Sequence, residues 1–304
     1  MRTFLKLAAA TIAASILLPG MAKAEDPIFV DWTSVLPGFT SEYDPDSTNE
    51  CTAGKEACVH SVIREMTRRF DPLADACDHD SMFALTYLRT TEEYHSFWHE
   101  GHFSDPRWLN HYDAVFASYY FDAADDWNHD RLSEVPAAWQ VAFDAADHQK
   151  VSGFGNVFLG MNAHINRDLP FVLADIGLVA PDGSSRKPDH DTVNQFLNRI
   201  SDVVFPEMAR RFDPTIDDGQ IPGTLLDDFA SFQIVPEWRE NAWRNAERLV
   251  NASSAAERAS VAQQIEDAAS VEAQAIKAAT QYSLLSANTA SQRNAYCAVH
   301  HDEI

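Results

Sequence analysis

The sequence predicts an all-α protein: a single multi-helix, bundle-like domain over residues 56–304, behind an irregular lead-in at 25–55. Three observations predict it. From residue 56 onward, apolar side chains recur at spacings of three and four, the period of a helix with one buried face. No run alternates apolar and polar with period two, which a half-buried strand would need. The stretch from Ala252 to Ala290 is rich in Ala, Gln and Glu, which favour helix. Roughly eight to ten helices of ordinary length account for the chain.

Taken in order, the first element is a secretory leader over residues 1–24. Arg2 and Lys6 make a basic start, and Leu7 to Leu18 form an apolar stretch shorter than the ~20 residues that cross a bilayer. Ala22-Lys23-Ala24 places small residues where a signal peptidase cuts. The protein is therefore expected to be exported, periplasmic or extracellular, with no transmembrane segment. The chain of 304 residues has a formal net charge of −23. Losing Arg2, Lys6 and Lys23 would deepen this to about −26, a balance that argues against nucleic acid or anionic membranes as partners. The oligomeric state is not legible.

The lead-in is rich in Pro, Asp, Ser and Thr. Four cysteines follow from it onward, and an even count in an exported chain predicts two disulfides. Of three connectivities, Cys51–Cys58 with Cys77–Cys297 is favoured. No C-x-x-C pair suggests a thiolate metal site. The helical region is punctuated by Asp71-Pro72, Asp105-Pro106, Pro136 and the loops at 180–191 and 213–223. "VIREMTRRFDP" at 62–72 echoes "VFPEMARRFDP" at 204–214. Both are read as a helix ending in a basic turn and stopped by Asp-Pro.

Three predicted helices carry polar groups on the wrong face. At 100° per residue, Val157, Phe158, Met161, Ile165 and Leu169 set a core arc. His164 and Asp168 fall at one border of it, Asn162 and Asn166 at the other. The helix 108–124 buries Leu109, Tyr112, Phe116, Tyr119 and Tyr120, and Asp113 falls inside that arc. The helix 82–99 buries Phe83, Tyr87, Leu88, Tyr94 and Trp98, with Thr91 and His95 in its arc and Glu92 and His99 at its edge. Buried polar groups without partners cost roughly 1–3 kcal/mol each, so each of these must find one.

Two readings follow. In the first, His164 and Asp168 stand one turn apart and His95 and Asp113 converge on them. Imidazole and carboxylate of this kind suit a divalent metal, zinc favoured, with an open position for water. His164, Asp168 and Asp113 are the expected ligands. Asn162 and Asn166 orient the substrate, His95 is expected among the catalytic residues, and His99 or His111 move protons. In the second, the same groups satisfy one another and fix the core.

Weaker signals are read structurally. Asp189-His190-Asp191 offers metal-ligand types, but Asp191 is expected to cap a helix beginning near Thr192. "FDAADDWNHDR" at 121–131 is expected to be a solvated helix end, His300-His301 a mobile tail, and Trp238 and Trp243 packing residues.

The segments "MFALTYLRTTEEY", "WLNHYDAVFASYYFDA", "VPAAWQVAF", "LGMNAHINRDLPFVL", "DHDTVNQFL" and "NAWRNAERL" occur in the order seen in a bacterial family called domain of unknown function 5995. From about Phe70 to Val250 the chain resembles that family. The resemblance implies an all-α fold and marks Asn162, His164, Asn166 and Asp168 as the most distinctive stretch. It brings no activity. More narrowly, "GMNAHINRDLP" is similar to a helix of zinc-dependent phospholipase C and P1-type nucleases, where His-x-x-x-Asp supplies two zinc ligands. His164 and Asp168 match that spacing and Pro170 follows. The next histidine of that pattern is missing from "FVLADIG", and the terminal Trp that ligates zinc there corresponds at best to Trp32, inside the lead-in.

The leading expectation is thus an exported metal-dependent hydrolase acting on a phosphoester or other small-molecule substrate. The alternative is a non-catalytic periplasmic helical protein whose polar cluster is structural or holds a small ligand.

Overall fold

Residues 153–176 form one continuous helical rod, and the other helices are arranged around it. The computed structural model describes residues 31–216, 234–284, 286 and 288–303. The leader expected at 1–24 and the 217–223 part of the second loop lie outside the described residues. A short 3₁₀ turn, Trp32–Val35, opens the described chain. It is followed by α1 (Glu56–Asp75), α2 (Ser81–His99), α3 (Pro106–Asn128) and α4 (Ala137–Asp147). The rod consists of α5 (Gly153–Asn162), a π-helical turn (Ala163–Asp168) and α6 (Leu169–Ile176). Then come α7 (Lys187–Thr192), α8 (Asn194–Arg211), α9 (Ile234–Val250), α10 (Ala255–Thr280) and α11 (Ala290–His300). Among the described residues the only strand-like pairings are the isolated bridges Val151–Gln281 and Val179–Ser185. The protein is all-α, as its periodicity predicts.

The caps explain where several helices begin. Asp105 accepts from the Trp108 amide, with Pro106 in the first turn, where a missing N–H costs nothing. Ser152 and Ser254 cap α5 and α10. Thr289 and Gln292 form a reciprocal capping box at α11. The rod packs against α2, α3, α4, α9 and α10, and α1 packs on α2 and α3. Its burial follows from its sequence, since every residue of α5 is buried.

Both favoured disulfides are present, Cys51–Cys58 and Cys77–Cys297, and the second ties α11 to the end of α1. No helix among the described residues is long and apolar enough to cross a membrane. The lead-in is irregular but anchored. Arg107 donates to the carbonyls of Ala53 and Pro45, and Trp32 packs edge-on against Phe121. At Gly54 the backbone takes φ +62°, and an added Cβ would collide with the Arg107 carbonyl, so only glycine serves there.

Several local expectations are corrected. The segment 163–168 is not α-helical. Leu169 donates its amide to the carbonyl of His164, five residues back. Pro170 explains the widening: it has no N–H to give the Asn166 carbonyl, and the helix opens by one residue instead of stopping. Asp71-Pro72 does not end α1, which continues to Asp75. Pro72 forfeits its own bond to the Arg68 carbonyl, and one further turn still forms. The second echo does stop, at Arg211, and the two copies meet: Phe70 and Phe212 lie edge to face, with Arg211 over both rings.

The acidic stretch 121–131 is not wholly solvated either. Asp125 is buried and receives two bonds from buried Arg69, at 2.7 and 3.0 Å, while Glu65 takes the Arg69 Nε at 2.7 Å. Asp191 is no N-cap. It lies inside α7 and pairs with Lys187, while Asp189 accepts the amides of Ser104 and Asp105 ahead of α3. His300 and His301 are docked rather than loose, since Arg211 donates to the His301 carbonyl at 2.7 Å.

The approach of α5 to α2 depends on Gly160. A Cβ there would fall 2.3 Å from the Phe83 ring. Gly160→Ala is expected to destabilise the fold by about 1–3 kcal/mol, because a packed aromatic must be displaced. Urea unfolding checks this: the midpoint should drop at constant slope, and an unchanged midpoint would show that the contact yields freely.

Candidate functional site

The rod presents His164 to a cavity of about 120 Å³. The walls come from α2 (Phe83, Tyr87, Thr91), α3 (Tyr112, Asp113, Phe116), the rod (Met161, His164, Ile165), α8 (Phe196, Ile200) and α9 (Val235, Arg239). Aromatic and aliphatic side chains dominate. Thr90, Asp113, Phe116, Ile165 and Leu197 of this wall are half-buried. The volume is comparable to that of an engineered apolar cavity, about 150 Å³, that takes up benzene.

Behind the wall, Asp168 is fully buried and accepts three bonds. Trp139 Nε1 on α4 donates to Oδ2 at 2.8 Å, His164 Nδ1 lies 3.0 Å from the same oxygen, and Arg167 Nη1 donates to Oδ1 at 2.9 Å. Arg167 is itself held by Glu266 of α10 at 2.7 Å. The His164 ring is clamped between aromatic groups. It stacks on Phe116 with centroids 3.5 Å apart, and Tyr87 meets it edge-on at 4.6 Å.

This environment sets the protonation of His164. Burial pushes the imidazole pKa down, and the Asp168 contact only partly opposes that. Burial thus favours the neutral ring, and the contact with Asp168 assigns its one proton to Nδ1. Nε2 is then a bare lone pair, and it has no partner among the described residues. Asp113 shows the opposite consequence of the same desolvation: burial raises its carboxyl pKa to about 8, so it keeps its proton at neutral pH. Its Oδ2 also lacks a partner, as does the Tyr87 hydroxyl, whose pKa burial drives well above the ordinary tyrosine value.

Three of the nine buried side-chain polar atoms without a partner among the described residues thus belong to residues lining one cavity. The other polar groups of the wall are engaged. The Thr86 and Thr91 hydroxyls donate to Met82 and Tyr87 carbonyls of their own helix. Arg239 donates to Asn194 and to the His190 carbonyl.

Of the residues singled out from sequence, His164 and Asp113 are brought to the same cavity. Asp168 is brought to His164 but sits behind it, with its oxygens committed to protein donors. Asn162 and Asn166 do not line the cavity. Asn162 donates to the Ala269 carbonyl of α10 and accepts from Asn166, so the pair fastens the π turn to that helix. His95 is not part of the cavity wall. It lies at the ends of α1 and α2, 3.1 Å from Glu56 Oε1, with His60 and His99 beside it. His111 is buried between the carbonyls of Cys51 and Ser41 and pins the lead-in. Trp32, Trp238 and Trp243 are buried in the core. Tyr87 was legible only as an apolar core position, since nothing in an amphipathic pattern marks a hydroxyl that ends without a partner.

Two donors from the described residues, His164 Nε2 and Asp113 Oδ2, are left for an ion at this cavity. Asp168 would support such an ion from behind, as carboxylates do behind metal-bound histidines.

The comparisons with known proteins give a family and add no chemistry. No curated protein and no solved structure gives a significant match. A family described as a family of unknown function, DUF5995, matches residues 59–279, a span that runs from α1 to the end of α10 and holds the whole described cavity. The chain belongs to the DUF5995 family.

Proposed function

We propose that the protein binds a small, neutral, largely apolar molecule in this cavity and holds its polar end with Asp113, His164 and Tyr87. One observation carries the reading: unpartnered polar atoms gathered on an otherwise aromatic and aliphatic wall. Each costs roughly 1–3 kcal/mol if left unpaired, so a fold that keeps all three favours an occupant that pairs them. The protonated Asp113 supplies a donor, the His164 Nε2 an acceptor, and the Tyr87 hydroxyl either. A ligand with a hydroxyl or carbonyl on a ring or short chain complements that set.

The same groups suit proton transfer. A neutral imidazole oriented by a carboxylate is a competent general base, and a carboxyl with pKa near 8 is a competent general acid at neutral pH. A phosphoester is a poorer match. The cation on the described wall, Arg239, already donates to Asn194 and His190, and a phosphate dianion would be desolvated there. The two disulfides support an exported protein working in an oxidising compartment.

A metal-dependent hydrolase is the second reading, favoured by the anchoring of His164 Nδ1 on Asp168. In it a divalent ion, zinc by ligand type, would take His164 Nε2 and Asp113 as its protein ligands and acidify a water.

Calorimetric titration with phenol, p-cresol, hexanol and hexyl phosphate separates these readings. Neutral compounds should bind and hexyl phosphate should not. Thr90→Trp, which fills the cavity from its half-buried side, should abolish binding without unfolding the protein. No binding of any neutral compound, or full binding by folded Thr90→Trp, would overturn the proposal. One equivalent of zinc lost specifically in His164→Ala would favour the hydrolase.

Asp113 also predicts a pH dependence. Its pKa is raised from the ordinary value of 3.8 to about 8. Between these values the folded protein holds a proton that the unfolded chain releases. Stability is therefore fully present below pH ~4 and falls towards pH 8, by up to about 1.4 kcal/mol per unit. Asp113→Asn removes this cost. Its melting temperature should exceed that of the wild type by a margin that widens from pH 5 to pH 8. A constant margin would show that Asp113 ionises normally.

A further inference from the structure

We propose that Glu56, His95 and His99, with His60 as fourth ligand, form a surface site for a divalent transition-metal ion, zinc being the best match. None of the four lines the cavity; they gather where the start of α1 meets the end of α2.

Sequence spacing and packing build it together. Glu56 and His60 are one turn apart on α1, and His95 and His99 are one turn apart on α2. Each pair therefore presents two ligand side chains on one helix face. α1 and α2 pack against each other and bring the two pairs together. Glu56 Oε1 lies 3.1 Å from His95 Nε2, 3.1 Å from His99 Nε2 and 3.9 Å from His60 Nε2. The His60 and His95 rings are 4.6 Å apart, and the His95 and His99 rings 4.8 Å. The ligand atoms of Glu56, His95 and His99 all fall within 4.8 Å of one another.

A tetrahedral zinc with bonds near 2.0–2.1 Å places its ligand atoms about 3.4 Å apart. The cluster needs only side-chain adjustment to reach that. The adjustment is available, because His60, Glu56 and His99 are 51%, 41% and 54% exposed and His95 is 20% exposed. The backbone beneath is fixed: Glu56 is the first residue of α1, inside the loop closed by Cys51–Cys58. Three imidazoles are borderline donors, and a set in which they outnumber the one hard carboxylate suits zinc, copper or nickel and discriminates against calcium and magnesium. Among the described residues the other group with metal-ligand types, Asp75, His301 and Asp302, has a single imidazole and is mostly exposed.

Full-length protein stripped with chelator and dialysed is titrated with zinc chloride alone, with metal analysis and circular dichroism on every variant. Wild type should bind one equivalent. Glu56→Gln should weaken binding at least tenfold, and the His95→Ala/His99→Ala double variant should lose it while keeping its helical spectrum. His164→Ala should bind as wild type does, which separates this site from an ion in the cavity. Absence of one-to-one binding, or affinity unchanged in the folded double variant, would overturn the proposal.

Discussion

The structure depends on the carboxylate of Asp168 and the three donors that reach it. Trp139 comes from α4, His164 from the preceding turn of the rod, and Arg167 from beside it, carrying Glu266 of α10 with it. A fully buried carboxylate is costly unless such donors surround it, and removing one would leave the others stranded. The arrangement therefore fixes the rod against two helices at once. The π turn is part of the same solution. It begins at Ala163 and closes on Leu169, just before Pro170, and brings the imidazole and the carboxylate together within it. The Asn162–Asn166 pair seals the other side onto α10.

From that anchor the chemistry of the cavity follows. Asp168 holds the proton of His164 on Nδ1, so the free nitrogen is an acceptor. Across an aromatic wall, burial keeps Asp113 as an acid, a donor with no partner among the described residues. Neither state needs a charge inside the cavity, which is why two titratable groups coexist with Phe83, Phe116 and Phe196. Titratable groups pushed in opposite directions by one environment are a recurrent feature of working sites. They also impose a stability cost that a purely structural core would avoid.

The helical class was legible because periodicity reports on burial directly; cysteine parity set the number of disulfides, and the favoured one of three pairings is the one present. What eluded the sequence was mostly partner identity. Asp125 reads as a solvated acid until Arg69 of α1 is placed beside it. His95 reads as an inward-facing residue of α2 until Glu56 and His60 of α1 are seen to hold it outside the cavity wall. Asp168 reads as a co-ligand of His164 because spacing reveals that two residues are neighbours, not which of them faces a cavity. The π turn defeated the 100° wheel for a local reason, one proline amide, and shifted the roles of Asn162 and Asn166 from substrate contact to helix clamp. Asp113 was legible as an acid within an apolar arc, though its protonation emerges only from packing.

The central claim is that His164 is a neutral imidazole protonated on Nδ1, with Nε2 unprotonated. Nitrogen-15 NMR of ring-labelled protein at pH 7, with His164 assigned by comparison with His164→Gln, measures this directly. The account requires a protonated Nδ1 resonance and an unprotonated Nε2 resonance for this residue. A proton on Nε2, or a doubly protonated ring, would contradict it.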